Sequence, residues 1–205
     1  MTRATERAQA TRQRFLAVAT RLFAERGYEG TSIEAILEEA GASRGSLYHH
    51  FPGKDALFEA VLIRLLEDTG QQTILAADGA PDSVAAMQAG CRAWVRLARD
   101  PVIQRIVLID GPSVLGWEHW RELDEQQSLG LLQFSLGAAA AEGRVAPELV
   151  DMFAHILMAA LSEIALVVAR SDDPDGAVRS GEAAVDELIQ RLLGPISDPR
   201  EAADR

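Results

Sequence analysis

The chain has one cysteine and one lysine among its 205 residues. A lone Cys91 excludes an intramolecular disulfide and a cysteine-built zinc cluster. Catalytic motifs are equally scarce: there is no glycine-rich phosphate loop, no H-E-x-x-H and no dinucleotide fingerprint. An enzyme, a cofactor and a metal centre are therefore not expected. Glu118, His119 and Glu122 fall within one helical turn, a spacing that on an exposed helix describes a solvated face. No N-terminal segment runs charged, then apolar, then small as a signal peptide does, which predicts a cytoplasmic protein. No stretch alternates apolar and polar residues like a half-buried strand, and no internal repeat is present.

Positive charge is also in short supply. The net charge of -11 weighs against a nucleic-acid partner, because phosphate attracts basic surfaces. The average hides an asymmetry. Residues 1–55 carry eight basic and seven acidic side chains, whereas the rest carries twelve basic and twenty-four acidic. A near-neutral head on a strongly acidic body is compatible with one region that meets nucleic acid and another that does not.

What remains is helix. Phe15, Val18, Ala19, Leu22 and Phe23 share one helix face, and Gly27 is placed to end that helix. Thr31 and Glu34 have capping-box spacing, so a second helix is expected from Thr31–Ser32 to about Glu39. Ala40-Gly41-Ala42 makes a turn, and Ser43 caps a short third helix to about His50. Pro52-Gly53 breaks it, and Lys54 opens a fourth to about Thr69 with Phe58, Val61, Leu62, Leu65 and Leu66 on one face. Longer helices follow: Asp82 to about Arg99, one opened by Asp100-Pro101, Trp117 to Glu142, Pro147 to about Arg170, and a last one carrying Val185, Leu188, Ile189, Leu192 and Leu193. The stretch Asp110–Gly116 reads as the least helical part, and the tail after Pro195 as polar and loose. The run Met152–Ala169 is long enough to span a membrane, but Glu163 near its middle favours a helix buried in a bundle or a subunit interface.

Helix, three-residue turn and short helix over residues 31–51 form a helix-turn-helix pattern. Ile33, Ile36, Leu37 and Ala40 supply the inner face, and Leu47 and Phe51 anchor the second helix. Ser43, Arg44, Ser46, Tyr48 and His49 then point outward. Hydroxyls and helix N-terminal amides suit phosphate, Arg44 suits guanine, and Gly45 lets a phosphate or base edge approach the backbone.

The run Gly27-Tyr28-Glu29-Gly30-Thr31-Ser32-Ile33-Glu34-Ala35-Ile36, followed by residues 40–57 with Leu47-Tyr48-His49-His50-Phe51 and Lys54, closely resembles the N-terminal domain of TetR/AcrR-type regulators. The resemblance covers about the first 65 residues. It implies phosphate contacts from Thr31 and Ser32, a DNA-facing set of Ser43, Arg44, Gly45, Ser46, Tyr48 and His49, and a phosphate contact from Lys54. It further implies that His50 supports the helix from within or touches phosphate. Gly53 departs from the family pattern, since many relatives carry a hydroxyl cap there. The resemblance also implies homodimerisation through the last two long helices, and a C-terminal pocket whose small-molecule effector releases DNA.

In the C-terminal body Trp94, Trp117 and His155 are the expected ligand contacts, because a pocket combines apolar walls with a few orienting polar groups. Cys91 reads as inert core. The expected architecture is all-α, with about nine helices. A helix-turn-helix domain over residues 1–55 and a connecting helix over 54–69 precede a ligand-binding and dimerisation domain over 70–205. The expected function is a ligand-responsive repressor that binds a pseudo-palindromic operator as a homodimer, with a largely apolar effector and no membrane partner. The alternative is a helical small-molecule-binding protein, or an enzyme whose site is assembled from distant acids, without a DNA function.

Overall fold

The computed structural model describes residues 3–194; Pro195 and the tail after it lie outside the described residues. Among these, nine α-helices and no strand are present: α1 (Arg3–Arg26), α2 (Ile33–Ala40), α3 (Arg44–His50), α4 (Lys54–Ala77), α5 (Ser83–Leu97), α6 (Gly111–Leu115), α7 (Trp117–Ala141), α8 (Val150–Ala169) and α9 (Pro174–Leu193). A π-helical segment, Ile103–Asp110, precedes α6, and a 3-10 turn, Pro147–Leu149, precedes α8.

The chain folds as two compact units. One comprises the residues up to Glu67 together with Asp100–Leu123; the other comprises Asp68–Arg99 and the chain from Asp124 onward. The expected division put residues 100–123 in the C-terminal domain. They instead pack with the N-terminal helices, because the π-helical segment lies against α1 and Asp110 accepts the Tyr28 backbone N–H at 2.8 Å.

In the first unit Phe15, Leu22 and Phe23 of α1, Ile36 of α2, Leu47 of α3 and Phe58 of α4 are fully buried. Phe23, Tyr28 and Phe58 form an aromatic cluster, the Phe58 ring meeting each of the other two edge-on at 5.2 Å. In the second unit α5, α8 and α9 pack on one another. A ladder of ion pairs ties α5 and the turn after it to α9: Arg92 with Asp186 at 2.8 Å, Arg96 with Glu182 at 2.5 Å and Arg99 with Asp175 at 2.7 Å.

Two stretches differ from expectation. Asp110–Gly116 is helical up to Leu115, and only Gly116, at φ 82°, leaves the helical region. Pro112 follows directly on the π-helical segment, and the Val107 carbonyl, five residues before it, accepts from the Trp120 indole N–H at 3.0 Å instead. Gly111 is required by packing, since a Cβ there would stand 2.8 Å from Trp120 and 2.9 Å from Leu62. Helix α4 continues past Thr69 to Ala77, with Gly70 inside it, and the chain turns at Gly79 with φ 74°.

Helix α8 is long and apolar enough to cross a membrane. Ala154, Leu157, Met158, Leu161, Ala165 and Val168 are buried, while Met152, Ile156 and Val167 on its other side are exposed. The helix thus packs one face within the chain and leaves the opposite face, apolar apart from the exposed Glu163, uncovered by it.

Candidate nucleic-acid interface and ligand cavity

Helices α2 and α3 are fixed by local chemistry. Ser32 is the N-cap of α2, and its Oγ accepts from Ala35 N–H at 3.1 Å. Gly41 ends α2 in the left-handed region at φ 57°, as a C-terminal cap glycine does. Ser43 caps α3 and accepts from Ser46 N–H at 3.3 Å. A capping serine uses an oxygen lone pair and keeps its own proton, so both exposed hydroxyls retain a donor for an incoming phosphate oxygen.

Ser43, Arg44, Gly45, Tyr48 and His49 are exposed, and Ser46 is half-buried beside them. Leu47 is fully buried and Phe51 nearly so, which orients the rest of the helix outward. Arg44 forms an ion pair with Glu34 of α2. The Glu34 carboxyl is held below its ordinary range by its own backbone N–H and by that guanidinium.

Thr31 requires a correction. It is 1% exposed, and its hydroxyl donates to the carbonyl oxygens of Leu22 at 3.1 Å and Gly27 at 2.8 Å. The helix begins one residue later than the capping-box spacing implied, which turns Thr31 inward to fasten the end of α1. It is therefore withdrawn from the phosphate-facing set.

The ammonium of Lys54, at the start of α4, lies 3.9 Å from the centre of the Tyr28 ring, within cation–π range. The Tyr28 hydroxyl in turn bonds Asp55, and burial together with that carboxylate raises the tyrosine pKa. His50 packs tilted against Phe15 and Phe51, each ring centre 6.3 Å away.

Gly45 is open on its outer side, with no atom within 4 Å of the position a Cβ would take. Alanine there should raise the stability of the free protein by about 0.4–1 kcal/mol through its better helix propensity. If a nucleic-acid backbone approaches at this point, the same methyl weakens binding. A thermal melt and a binding titration on Gly45→Ala are thus expected to move in opposite directions.

His50 carries a pH dependence. Partial burial, then the neighbouring His49 and Arg12, lower its pKa in the folded chain. The unfolded state then takes up the proton more readily. The associated stability is complete above the ordinary histidine value of about 6.5 and is lost as pH falls through the lower folded value. Melts between pH 8 and pH 5 should show an acid loss that His50→Gln reduces.

The second unit contains a cavity of about 590 Å³ lined by residues of α4, α5, α7 and α8. Trp94 lines it, with its indole N–H donating to the Leu161 carbonyl at 3.4 Å. Trp117 and His155 do not line it, which corrects two of the three expected contacts. Trp117 belongs to the other unit, is 61% exposed and packs on Trp120 with ring centres 5.0 Å apart. His155 stands one turn before Met158 on the same side of α8 but is not among the residues that line the cavity. Lining residues absent from the sequence reading include Thr73, Met87, Asp124 and Ser128. Their signal was faint: single polar residues on helices whose cavity side only packing defines. Cys91, read as inert core, also lines the cavity, and burial pushes its thiol up to about 12, so it stays protonated.

A capped helix–turn–helix whose second helix presents hydroxyls, arginine and tyrosine, followed by a separate helical unit with a cavity, defines a helix-turn-helix regulator. Comparison with known proteins gives the family. Residues 15–61 match the family described as bacterial regulatory proteins, tetR family, and residues 84–192 match a tetracyclin repressor-like C-terminal domain. The chain belongs to the TetR family of transcriptional regulators. A TetR-family regulator from Pectobacterium atrosepticum is 31% identical, with a TM-score of 0.80 over 95% of this chain and 99% of that one. The transcriptional repressor AcnR of Corynebacterium diphtheriae is 34% identical over 116 residues, 56% of this chain and 60% of that protein. The regulator LmrA of Bacillus subtilis is 54% identical over 43 residues, and the chain spans only 23% of its length. RolR, whose structure contains resorcinol, shares the fold with a TM-score of 0.68 at 21% identity, over 94% of this chain and all of RolR.

Proposed function

We propose that this regulator is a repressor that binds a pseudo-palindromic operator as a homodimer and is released when a small, largely apolar molecule occupies the cavity of the second unit. The observation that carries the reading is the outward face of α3, where Ser43, Arg44, Gly45, Ser46, Tyr48 and His49 stand together above the buried Leu47. Ser32 and Lys54 supply phosphate contacts beside that face, and Arg44 reads guanine. Repression is supported by AcnR, a named repressor, and a ligand by RolR and its resorcinol.

Dimerisation through α8 and α9 is supported by the apolar side of α8 that the chain leaves uncovered, at Met152, Ile156 and Val167. Two recognition helices in successive major grooves must stand about 34 Å apart. A ligand that favours a different separation weakens DNA binding by its differential affinity for the two states. Helix α4 is the lever in this reading, because its residues belong to both units. The protein acts in the cytoplasm, where its DNA is. Footprinting on the DNA that flanks its own gene is expected to show protection of two half-sites one helical turn apart. A single protected half-site would contradict the dimer, and no protection would contradict the operator.

A further inference from the structure

One cation of the first unit stands beside the end of α3 without a counter-ion, and it carries the proposed DNA contact to a residue outside the helix-turn-helix. Residues 7–24 of α1 hold four arginines and no acid, in a chain whose acids outnumber its lysines and arginines by 31 to 20. Arg21 pairs with Glu25 and with Glu39. Arg12 is different: it is exposed, and among the described residues no carboxylate pairs with it. Its guanidinium lies instead 5.2 Å from the centre of the Phe51 ring, the C-cap residue of α3. His50 stands 6.3 Å from the same ring, and His49 stands 5.1 Å from His50. Burial, then His49 and Arg12, lower the His50 pKa, so positive charge gathers at this end of α3.

The helix period explains the placement. Phe15, Leu16, Ala19, Leu22 and Phe23 form the buried stripe of α1. Arg12 lies on that stripe one turn before Phe15 and Leu16, where the core has run out and residues 12–14 are exposed. Its stem therefore runs toward α3, and the face of Phe51 steadies the guanidinium. A recognition helix meets base edges with its N-terminal residues, which leaves its C-terminal end beside the sugar-phosphate wall of the groove. A phosphate at that wall meets an arginine whose charge no acid offsets and whose planar donors are already ordered. We propose that Arg12 is a phosphate contact of the operator complex, reaching the backbone from α1 at the C-terminal end of α3. The inference rests on α3 being the helix that reads DNA.

Three single variants of the full-length protein test this, each titrated on the footprinted operator and on an unrelated duplex across a range of salt concentrations. Arg12→Met keeps an apolar stem over Phe51 and loses the charge. It is expected to bind both duplexes several-fold more weakly at low salt and to lower the slope of affinity against salt by about one per protomer. Arg12→Lys restores the charge and should recover the slope. Arg14→Met removes the same charge about 200° around α1 from Arg12, on the side opposite the buried stripe, and should leave the slope unchanged. An unchanged slope in Arg12→Met would overturn the proposal. So would a slope that lysine does not recover, or one that Arg14→Met lowers equally, which marks the general field of the protein. A loss confined to the operator marks a base contact and overturns it too. Each of these failures leaves operator binding by the unsubstituted protein intact, whereas a wrong reading of α3 shows as no operator binding at all.

Discussion

Tyr48→Ala is expected to reduce operator affinity by more than about thirtyfold, the loss of roughly 2 kcal/mol that marks an aromatic anchor in an interface, with the melting temperature unchanged. The two readouts separate because of where the side chain sits. Tyr48 is 45% exposed and adjoins the buried Leu47, so truncating it removes contact surface and leaves the core of the first unit intact. Tyr48→Phe divides the effect between ring and hydroxyl, and a phosphate contact predicts that phenylalanine restores only part of the affinity. Lys54→Ala should act differently. Loss of a phosphate contact weakens all sequences alike and lowers the slope of affinity against salt by about one. Arg44→Ala should relax specificity at one base pair, at a cost of about 1–3 kcal/mol. Equal weakening on every sequence would reassign Arg44 to phosphate. Size-exclusion chromatography of all three variants is expected to match the unsubstituted protein.

Asp110→Ala should destabilise the first unit by about 1–3 kcal/mol, the cost of leaving a largely buried donor without its acceptor. One Asp110 oxygen accepts from the Tyr28 backbone N–H at 2.8 Å and from Arg105 Nε at 3.1 Å. The carboxylate is 8% exposed, whereas the Arg105 side chain is 45% exposed and regains water when released. Most of the penalty therefore comes from Tyr28, whose ring supports Lys54 from beneath. The second consequence is weaker operator binding at a residue far in sequence from α3. Asp110→Asn keeps an acceptor for the Tyr28 N–H and should recover most of the stability, as chemical denaturation can show.

Local features were the ones legible in the sequence. The caps at Ser43 and Asp82 and the burial of Leu47 and Phe51 depend on residues within a few positions of one another. Thr31 shows the limit of such reasoning, because a one-residue difference in where α2 begins exchanges an exposed hydroxyl for a buried one. The cavity lay beyond local reach. Which residues line it is decided by helices far apart in the chain, so of the three expected contacts Trp94 lines it and Trp117 and His155 do not. Residues 100–123 escaped for the same reason: nothing near Asp110 in sequence announces that its partner is Tyr28, 82 positions away.

The asymmetry of charge, with a near-neutral first 55 residues and twelve basic against twenty-four acidic side chains thereafter, bears on how the regulator chooses DNA. An acidic body repels duplex in general, which leaves affinity to the docked recognition helices. The most direct test is a titration of the protein on its footprinted operator and on an unrelated duplex of equal length, each across a range of salt concentrations. The account predicts tight, salt-dependent binding of two protomers to the operator and weak binding to the unrelated duplex at every salt concentration. Equal affinity for both duplexes, or binding of one protomer, would contradict it.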